Sequence, residues 1–229
     1  MPVTPDIPKA EALVIELTNA FRATSKLQGL RSEPALTTAA RDYARFLAAT
    51  TIFSHEADGR RPIERIKAAG YKPCTTAENL AWMSDTRGFA TGDLATRMVD
   101  GWKGSPPHRK NMELPLVTET AVAIVKARGE EKYISVQLFG RPASLQFSFE
   151  IENGGGRAVA YALAGNQMRI EPNTMVRHTI CEPGEVAFVT RPGSFRSKPV
   201  TARYAASDGQ VYRLTAGPSG EVAIAVGSR

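Results

Sequence analysis

The segment that decides the fold is "GWKGSPPHRKNM", residues 101–112. It places a tryptophan, a double proline and one of the chain's three histidines within one short polar stretch. Proline lacks a backbone N–H and restricts the residue before it, so Pro106-Pro107 predicts the end of the helix that precedes it. His108 follows directly. The segment alone leaves three roles open for it: a ligand, a general acid or base, or a surface residue.

Upstream of this segment, apolar residues recur at helical spacing. The pattern predicts four helices, at residues 9–28, within 31–50, at 61–70 and at 91–105. Ser32 is the expected N-cap of the second helix, because a serine oxygen can accept from the first free N–H groups. Two β-rich runs around "ARGEEK", residues 127–132, then predict a hairpin. Residues 9–140 are therefore expected to form an α+β, three-layer domain.

After "GRPAS", residues 140–144, the pattern changes to short alternating or β-branched runs. Gly, Pro, Asn and Asp separate them, as in "SLQFSFEIENGGG" and "EVAIAVG". Regularly spaced short strands of this kind predict a small all-β domain, a sandwich or open barrel. The expected domains are residues 1–142, and a β-rich domain of unassigned role at residues 143–229.

Composition limits the classes of function. The chain has 229 residues and a net charge of +6, and no apolar run approaches the roughly 18–20 residues of a membrane span. The basic stretches 58–67, 108–111 and 191–198 lack interleaved aromatics, which favours a solvated basic face, and no nucleic-acid partner is expected. The start, "MPVTPDIPKA", has no signal-peptide pattern, so either a cytosolic protein or one whose leader has been removed is expected.

The two cysteines, Cys74 and Cys181, leave two interpretations open. They can bridge two domains in an oxidising compartment, or they can be two buried thiols. No CxxC or zinc-ribbon spacing is present. No serine lies in a G-x-S-x-G motif, so no nucleophile is predicted.

Three polar residues of the helical region have chemistry-bearing side chains near helix ends: His55, Glu78 and His108. Two imidazoles and a carboxylate are a usable zinc set. They are also a usable acid/base set, since histidine titrates near neutrality and a glutamate can fix its tautomer. Their spacing is not a local motif, and the alternative is that backbone groups satisfy each histidine.

At these residues the sequence resembles a known family. The ordered set "FSHEADGRRPIERIKAAGY" (53–71), "AENLAW" (77–82), "GWKGSPPHRKNM" (101–112) and "YISVQLFG" (133–140) is similar to the CAP superfamily, also named SCP-like proteins. Asn19 and Arg22 match the family's opening N-x-x-R. The resemblance covers about residues 11–140 and is closest to the bacterial branch.

The resemblance implies an α-β-α sandwich whose central cleft holds His55, Glu78 and His108. Many relatives hold a divalent ion there, most often zinc. In the eukaryotic branch a second glutamate follows the tryptophan closely, where this chain has Ser105. A fourth ligand would then be water, Glu56 or Glu119, which predicts an open or weak metal site.

Other motif residues are expected to have structural roles. Asn79 and Asn111 are expected to hold loop backbone, Ser105 to close a helix end, and Trp102 to pack in the core. Arg109, beside His108, is expected to lower the pKa of that histidine if the two side chains are close.

The resemblance implies a secreted or periplasmic binding module for a hydrophobic or anionic ligand, lipid-like or from the cell envelope. The alternatives are a metal-assisted hydrolase acting on peptide or cell-wall material through the same cleft, and a scaffolding protein.

Overall fold

The computed structural model describes residues 1–191 and 198–229. Most of the predicted basic stretch at 191–198 therefore lies outside the described residues. The chain divides into two compact units, Met1–Ser144 and Leu145–Arg229.

The first unit alternates helices with strands of a single sheet. Its helices are α1 (Ile7–Thr24), α2 (Pro34–Ala48), α3 (Pro62–Ala68), α4 (Thr91–Gly104) and α5 (Pro106–Met112). Its strands are β1 (Arg31–Ser32), β2 (Pro73–Ser84), β3 (Glu119–Lys126) and β4 (Lys132–Pro142). A 3₁₀ turn, Ala143–Leu145, follows β4.

The sheet has the strand order β1-β3-β4-β2, with β2 at one edge. Because side chains alternate between the faces of a strand, β3 feeds two separate cores. Val122 and Ile124 pack on the side of α1 and α4. Ala121 and Ala123 pack on the side of α2 and α3. The predicted α-β-α sandwich is confirmed.

The first two helices have bounds that differ from the predicted ones. Helix α1 ends at Thr24 rather than at 28, because the side chain of Asn19 binds both backbone groups of Leu30 and turns the chain back. Ser32 pairs with β3 as part of β1. The capping role therefore passes to Glu33, whose carboxylate accepts from the N–H of Leu36 at 2.8 Å.

Besides the two-residue strand β1, two longer elements were not predicted. Residues 73–84 form a strand, β2, although the pattern there gave no assignment. The double proline has two effects rather than one: it ends α4, and Pro106 opens a further helix, α5, which carries His108. Proline is well accommodated in a first helical turn, where its missing N–H has no intrahelical partner.

The second unit is built from strands throughout its described residues. They are β5 (Phe147–Asn153), β6 (Val159–Leu163), β7 (Asn166–Ile170), β8 (Thr174–Ile180), β9 (Glu185–Arg191), β10 (Val200–Ala205), β11 (Gln210–Ala216) and β12 (Val222–Ser228). They form two sheets, ordered β10-β9-β6-β7 and β12-β11-β5-β8. Inward residues of both sheets, among them Phe149 and Phe188, share one core. The predicted all-β, sandwich-like unit is confirmed.

Candidate functional site

The loop between α2 and α3 carries His55, and a single tyrosine holds it on both sides. The hydroxyl of Tyr43, on α2, donates to the carbonyl of Ser54 and accepts from the N–H of Ala57 at 3.1 Å. A guanidinium nitrogen of Arg65, on α3, donates to the carbonyl of His55 at 2.9 Å. The backbone around His55 is therefore held by side chains of two helices.

Glu78 lies on β2 and is almost fully buried, with 2% of its side chain exposed. Its Oε1 lies 2.7 Å from Nδ1 of His55. Arg65 donates to both of its carboxylate oxygens, at 3.2 and 2.9 Å. Because a carboxylate only accepts, Nδ1 of His55 is the protonated nitrogen and Nε2 is the one left to bind a ligand.

Arg65 is the central residue of this network and was not singled out from the sequence. Its side chain is 5% exposed and also donates to Asp58 at 2.9 Å. Its guanidinium stacks on the ring of Tyr43, 3.4 Å from the centroid. The stretch 58–67 predicted a solvated basic face, which is wrong for this residue: two carboxylates and an aromatic ring compensate its burial.

Helix α5 brings His108 to the edge of the sheet, and two asparagines attach it there. Asn79 donates to the carbonyl of His108 at 3.1 Å. Asn111 donates to the carbonyl of Glu78 at 3.1 Å and to the side-chain oxygen of Asn79 at 2.9 Å. The expected backbone-holding roles of both asparagines are what the structure has.

Two further motif residues, Arg22 and Trp102, hold the backbone around α5 and β2. Arg22 is fully buried and donates to the carbonyls of Met112 and Leu114 at 2.7 and 2.8 Å. Trp102 is 1% exposed, and its indole N–H donates to the carbonyl of Leu80 at 3.0 Å. The side chains of Trp102 and Asn111 thereby occupy the carbonyl groups of Leu80 and Glu78 on the edge strand β2. These carbonyl groups would otherwise be open to pairing with another strand.

The pKa of His108 lies below its ordinary value of 6.5, first because of burial and second because of the charge of His55. The imidazole is therefore neutral near pH 7 and has a lone pair to offer. Arg109 was expected to lower this pKa, which is not the cause the structure shows. Its guanidinium pairs with Glu113, 3.3 Å away, on the same side of α5.

Of the three sequence-predicted residues, two are in contact, and the backbone carbonyl of the third, His108, accepts from Asn79, the neighbour of Glu78 on β2. His55 and Glu78 are in direct contact, and His108 lies close enough to His55 to respond to its charge. Glu119 is not part of this site, since its carboxylate accepts from Arg31 and Tyr71. Glu56 is exposed on the His55 loop. Ser105 joins α4 to α5 and forms no side-chain capping bond.

A divalent metal can be tested against this donor set. Among the described residues, no group of three His, Cys, Asp or Glu side chains is arranged to hold a metal ion. The carboxylate of Glu78 is already shared between Arg65 and His55. The predicted three-ligand set of His55, Glu78 and His108 is therefore not formed, and Glu78 instead has the position of a group that orients the His55 imidazole.

The remaining histidine and the cysteines belong elsewhere. His178, in β8, shares a hydrogen bond of 2.9 Å with the hydroxyl of Tyr161 inside the second unit. Neither Cys74 nor Cys181 is a free thiol, so the alternative of two buried thiols does not hold.

No helix among the described residues is long and apolar enough to cross a membrane.

The chain is similar to several solved structures. An outer surface protein from Borrelia burgdorferi superposes with a TM-score of 0.51 at 22% identity, over 58% of this chain and 92% of its own. An extracellular protein containing a SCP domain from Bacillus anthracis gives 0.48 at 21% identity, over 62% of this chain and 45% of its own. NaASP2, solved with Zn²⁺, gives a TM-score of 0.44 at 14% identity, over 58% of this chain and 79% of its own.

These likenesses are too distant to transfer more than a fold, and of these three the first alone reaches a TM-score of 0.5. No curated protein matches the chain significantly. The family comparison is decisive. The model of the cysteine-rich secretory protein family, CAP, matches residues 15–139, more than half of the 229 residues. The chain therefore belongs to the CAP, or cysteine-rich secretory protein, family.

Proposed function

We propose that the chain is an exported binding module, secreted or periplasmic, that uses the cleft between His55 and His108 to hold a ligand. One observation carries this proposal. Glu78 and Arg65 neutralise each other in the interior, so the cleft presents imidazole nitrogens instead of a free carboxylate. Such a site can accept or donate hydrogen bonds and can coordinate a metal ion through its imidazoles. The carboxylate of Glu78 is used to orient His55.

The surroundings of the two histidines indicate the chemistry of the ligand. Ile52 and Phe53, which precede His55 closely, are 55% and 38% exposed. Arg109 and Lys110, which directly follow His108, are exposed. Exposed apolar residues next to one histidine and exposed cationic residues next to the other suit a ligand that is partly apolar and carries negative charge, as lipid-like and cell-envelope components do.

Export is supported by the described settings of the similar structures, named as outer surface and extracellular proteins. The absence of free thiols among the described residues fits an oxidising compartment.

A divalent metal, zinc first, is the cofactor that this donor set would take. Nε2 of His55 and the neutral ring of His108 would hold it, and Glu78 would keep His55 in the required tautomer. When bound, such an ion supplies Lewis acidity and a point of attachment for an anionic ligand. With two protein ligands, such a site would leave coordination positions open and would bind the metal weakly.

The second candidate is a metal-assisted hydrolase for peptide or cell-wall material in the same cleft. The observation that favours it is the lowered pKa of His108, since a neutral imidazole can act as a base at pH 7. Glu78 is a poor candidate for the base, because Arg65 occupies both its oxygens. Binding is therefore the preferred function.

The test uses the full chain and the variants His55→Ala and His108→Ala, with His178→Gln as the matched control outside the cleft. Calorimetric titration with Zn²⁺ and mass spectrometry of an organic extract of the purified protein are the two measurements. We expect the cleft variants to lose zinc affinity and the co-purified compound, and the control to retain both.

A clean extract, together with unchanged zinc affinity in both cleft variants, would contradict the binding proposal. Turnover of a peptide or cell-wall substrate that His108→Ala abolishes and His178→Gln leaves intact would establish the hydrolase instead.

A further inference from the structure

A second concave site lies at one end of the β-sandwich of the second unit. It is a pocket of about 240 Å³, which we term the Gly-loop pocket. Its walls come from four strand ends and two glycine turns: Asn153, Gly155, Gly156, Arg157, Val159, Thr215, Ala216, Gly220 and Val222. The pocket lies outside residues 15–139, which the family model matches, so nothing in the family membership assigns it.

A buried asparagine shapes the glycine loop on one wall. Asn153 is 2% exposed. Its side-chain oxygen accepts from the N–H of Gly155 at 3.1 Å, and its amide donates to the carbonyl of Arg157 at 2.9 Å. The same amide also donates to the carbonyl of Glu171 at 3.1 Å. The loop is thus preformed on a rigid scaffold, which lowers the entropic cost of binding.

The chemistry of the lining is simple. Val159 and Val222 supply buried apolar walls, and Arg157 is the single charged residue of the lining. Within the described part of the chain, Arg157 forms no ion pair. The backbone N–H groups of Gly156 and Arg157 likewise make no hydrogen bond to the described residues. An exposed cation without an ion pair in the described part of the chain, and loop N–H groups without a partner there, lie beside an apolar wall and complement one small anion with an apolar body.

The volume restricts the size of that anion. Pockets for drug-sized ligands measure roughly 300–1,000 Å³, and this one is smaller. It suits a branched or aromatic group of a few carbons rather than a long acyl chain. A carboxylate satisfies both constraints because it accepts from a guanidinium and from backbone N–H groups together.

We propose that the Gly-loop pocket binds a carboxylate carried on a short branched apolar group, with Arg157 and the glycine loop holding the carboxylate and the two valines holding the apolar group. Two sources have this chemistry, a small free acid and the C-terminal apolar residue of a peptide. The lining residues of the pocket belong to the second unit and the two histidines to the first, so a ligand of the pocket would add a second binding activity to the chain.

The experiment titrates the full chain with N-acetyl-leucine and observes the methyl groups of Val159 and Val222 by NMR. We expect saturable shifts at these methyls, and at least tenfold weaker binding of N-acetyl-leucinamide, since a charge-assisted hydrogen bond is worth about 1.5–3 kcal/mol. Arg157→Gln should weaken the acid about tenfold and leave the amide unchanged. Arg169→Gln, an exposed cation of the same unit outside the pocket, is the matched control and should bind as the parent does.

A second variant separates loss of binding from loss of fold. A Cβ atom added at Gly156 would meet no atom within 4 Å, and the residue has no positive φ. Gly156→Leu should therefore fold, as circular dichroism can verify, and weaken binding by narrowing the pocket.

Comparison with 4-methylpentanoate assigns the source: equal affinity indicates a free acid, and tighter N-acetyl-leucine a peptide terminus. Equal affinity for acid and amide, or shifts that survive Arg157→Gln at full affinity, would overturn the proposal. His55→Ala should change none of these results.

Discussion

Arg65 and Glu78 form a buried ion pair in which the guanidinium donates to both carboxylate oxygens, at 2.9 and 3.2 Å. The side chains are 5% and 2% exposed. The pair connects the sheet to α3, and the same carboxylate orients His55. A structural ion pair and a candidate functional histidine therefore share one residue.

Arg65→Met should be strongly destabilising. It leaves the carboxylates of Glu78 and Asp58 buried without their cation, and breaking a buried pair in this way costs about 3–5 kcal/mol. Urea unfolding followed by tryptophan fluorescence measures this in the first unit, which contains both tryptophans.

Arg60→Met is the matched control. Arg60 also pairs with Asp58 but is 56% exposed, and an exposed pair is worth no more than about 1 kcal/mol. Similar losses in the two variants would show that the buried pair has no special role.

Tyr43→Phe should loosen the His55 loop without disturbing the core. The ring remains, but the hydroxyl that bonds Ser54 and Ala57 is lost, at a cost of about 1–3 kcal/mol. Amide hydrogen exchange at Ala57 should accelerate. Tyr204→Phe is the control, since the Tyr204 hydroxyl makes no hydrogen bond to the described residues. Unchanged exchange in Tyr43→Phe would remove the tyrosine from the support of the loop.

The pKa of His108 should be below 6.5 and should depend on His55. Electrostatic interaction with His55 is the second cause of the lowered pKa, after burial, so His55→Gln should raise the His108 pKa part of the way back. Arg109→Gln should leave the pKa of His108 unchanged, because the Arg109 guanidinium is paired with Glu113. An NMR titration of the His108 ring measures both effects. A larger response to Arg109→Gln than to His55→Gln would refute the assignment.

His178 should make the stability of the second unit depend on pH. Burial lowers its pKa in the folded state, so the unfolded chain binds the proton more readily. Its contribution is complete above the unfolded value of about 6.5 and is lost as the pH falls from there through the folded pKa.

His178→Gln should therefore reduce the loss of stability between about pH 7 and pH 5. Urea titrations at the two values, followed by NMR signals of the second unit, measure it. Signals of the first unit provide the internal control. The pH dependence of stability that they report should be the same in His178→Gln and in the parent. An unaltered pH dependence in the second unit would indicate that other groups cause it.

Most of the fold could be predicted from the sequence, because hydrophobic periodicity follows from which face of an element is buried. The stripe of Leu36, Ala40, Tyr43 and Leu47 is completely on the core side of α2, and the short alternating runs after residue 144 are strands. Periodicity works where an element has one buried face. It did not identify β2, whose sequence "PCTTAENLAWMS" mixes polar and apolar residues on both faces.

The candidate site was only partly visible in the sequence. His55, Glu78 and His108 could be named because few residue types do such chemistry and because their motifs resemble a family. Arg65 could not, since nothing local distinguishes it from the exposed Arg60 and Arg61 beside it. Burial of a charge is decided by what the other chain segments place around it.

The sequence by itself determined four of the helices, α1 to α4, the change to strands near residue 144, and the residue types available to the cleft. Only the tertiary structure decided that Pro106-Pro107 opens α5, that Asn79 and Asn111 attach this helix to β2, and that Glu78 is committed to Arg65 and His55. The physical reason is the same in each case. Hydrophobic periodicity is local, whereas the partner of a buried polar group is chosen by packing between segments far apart in the chain.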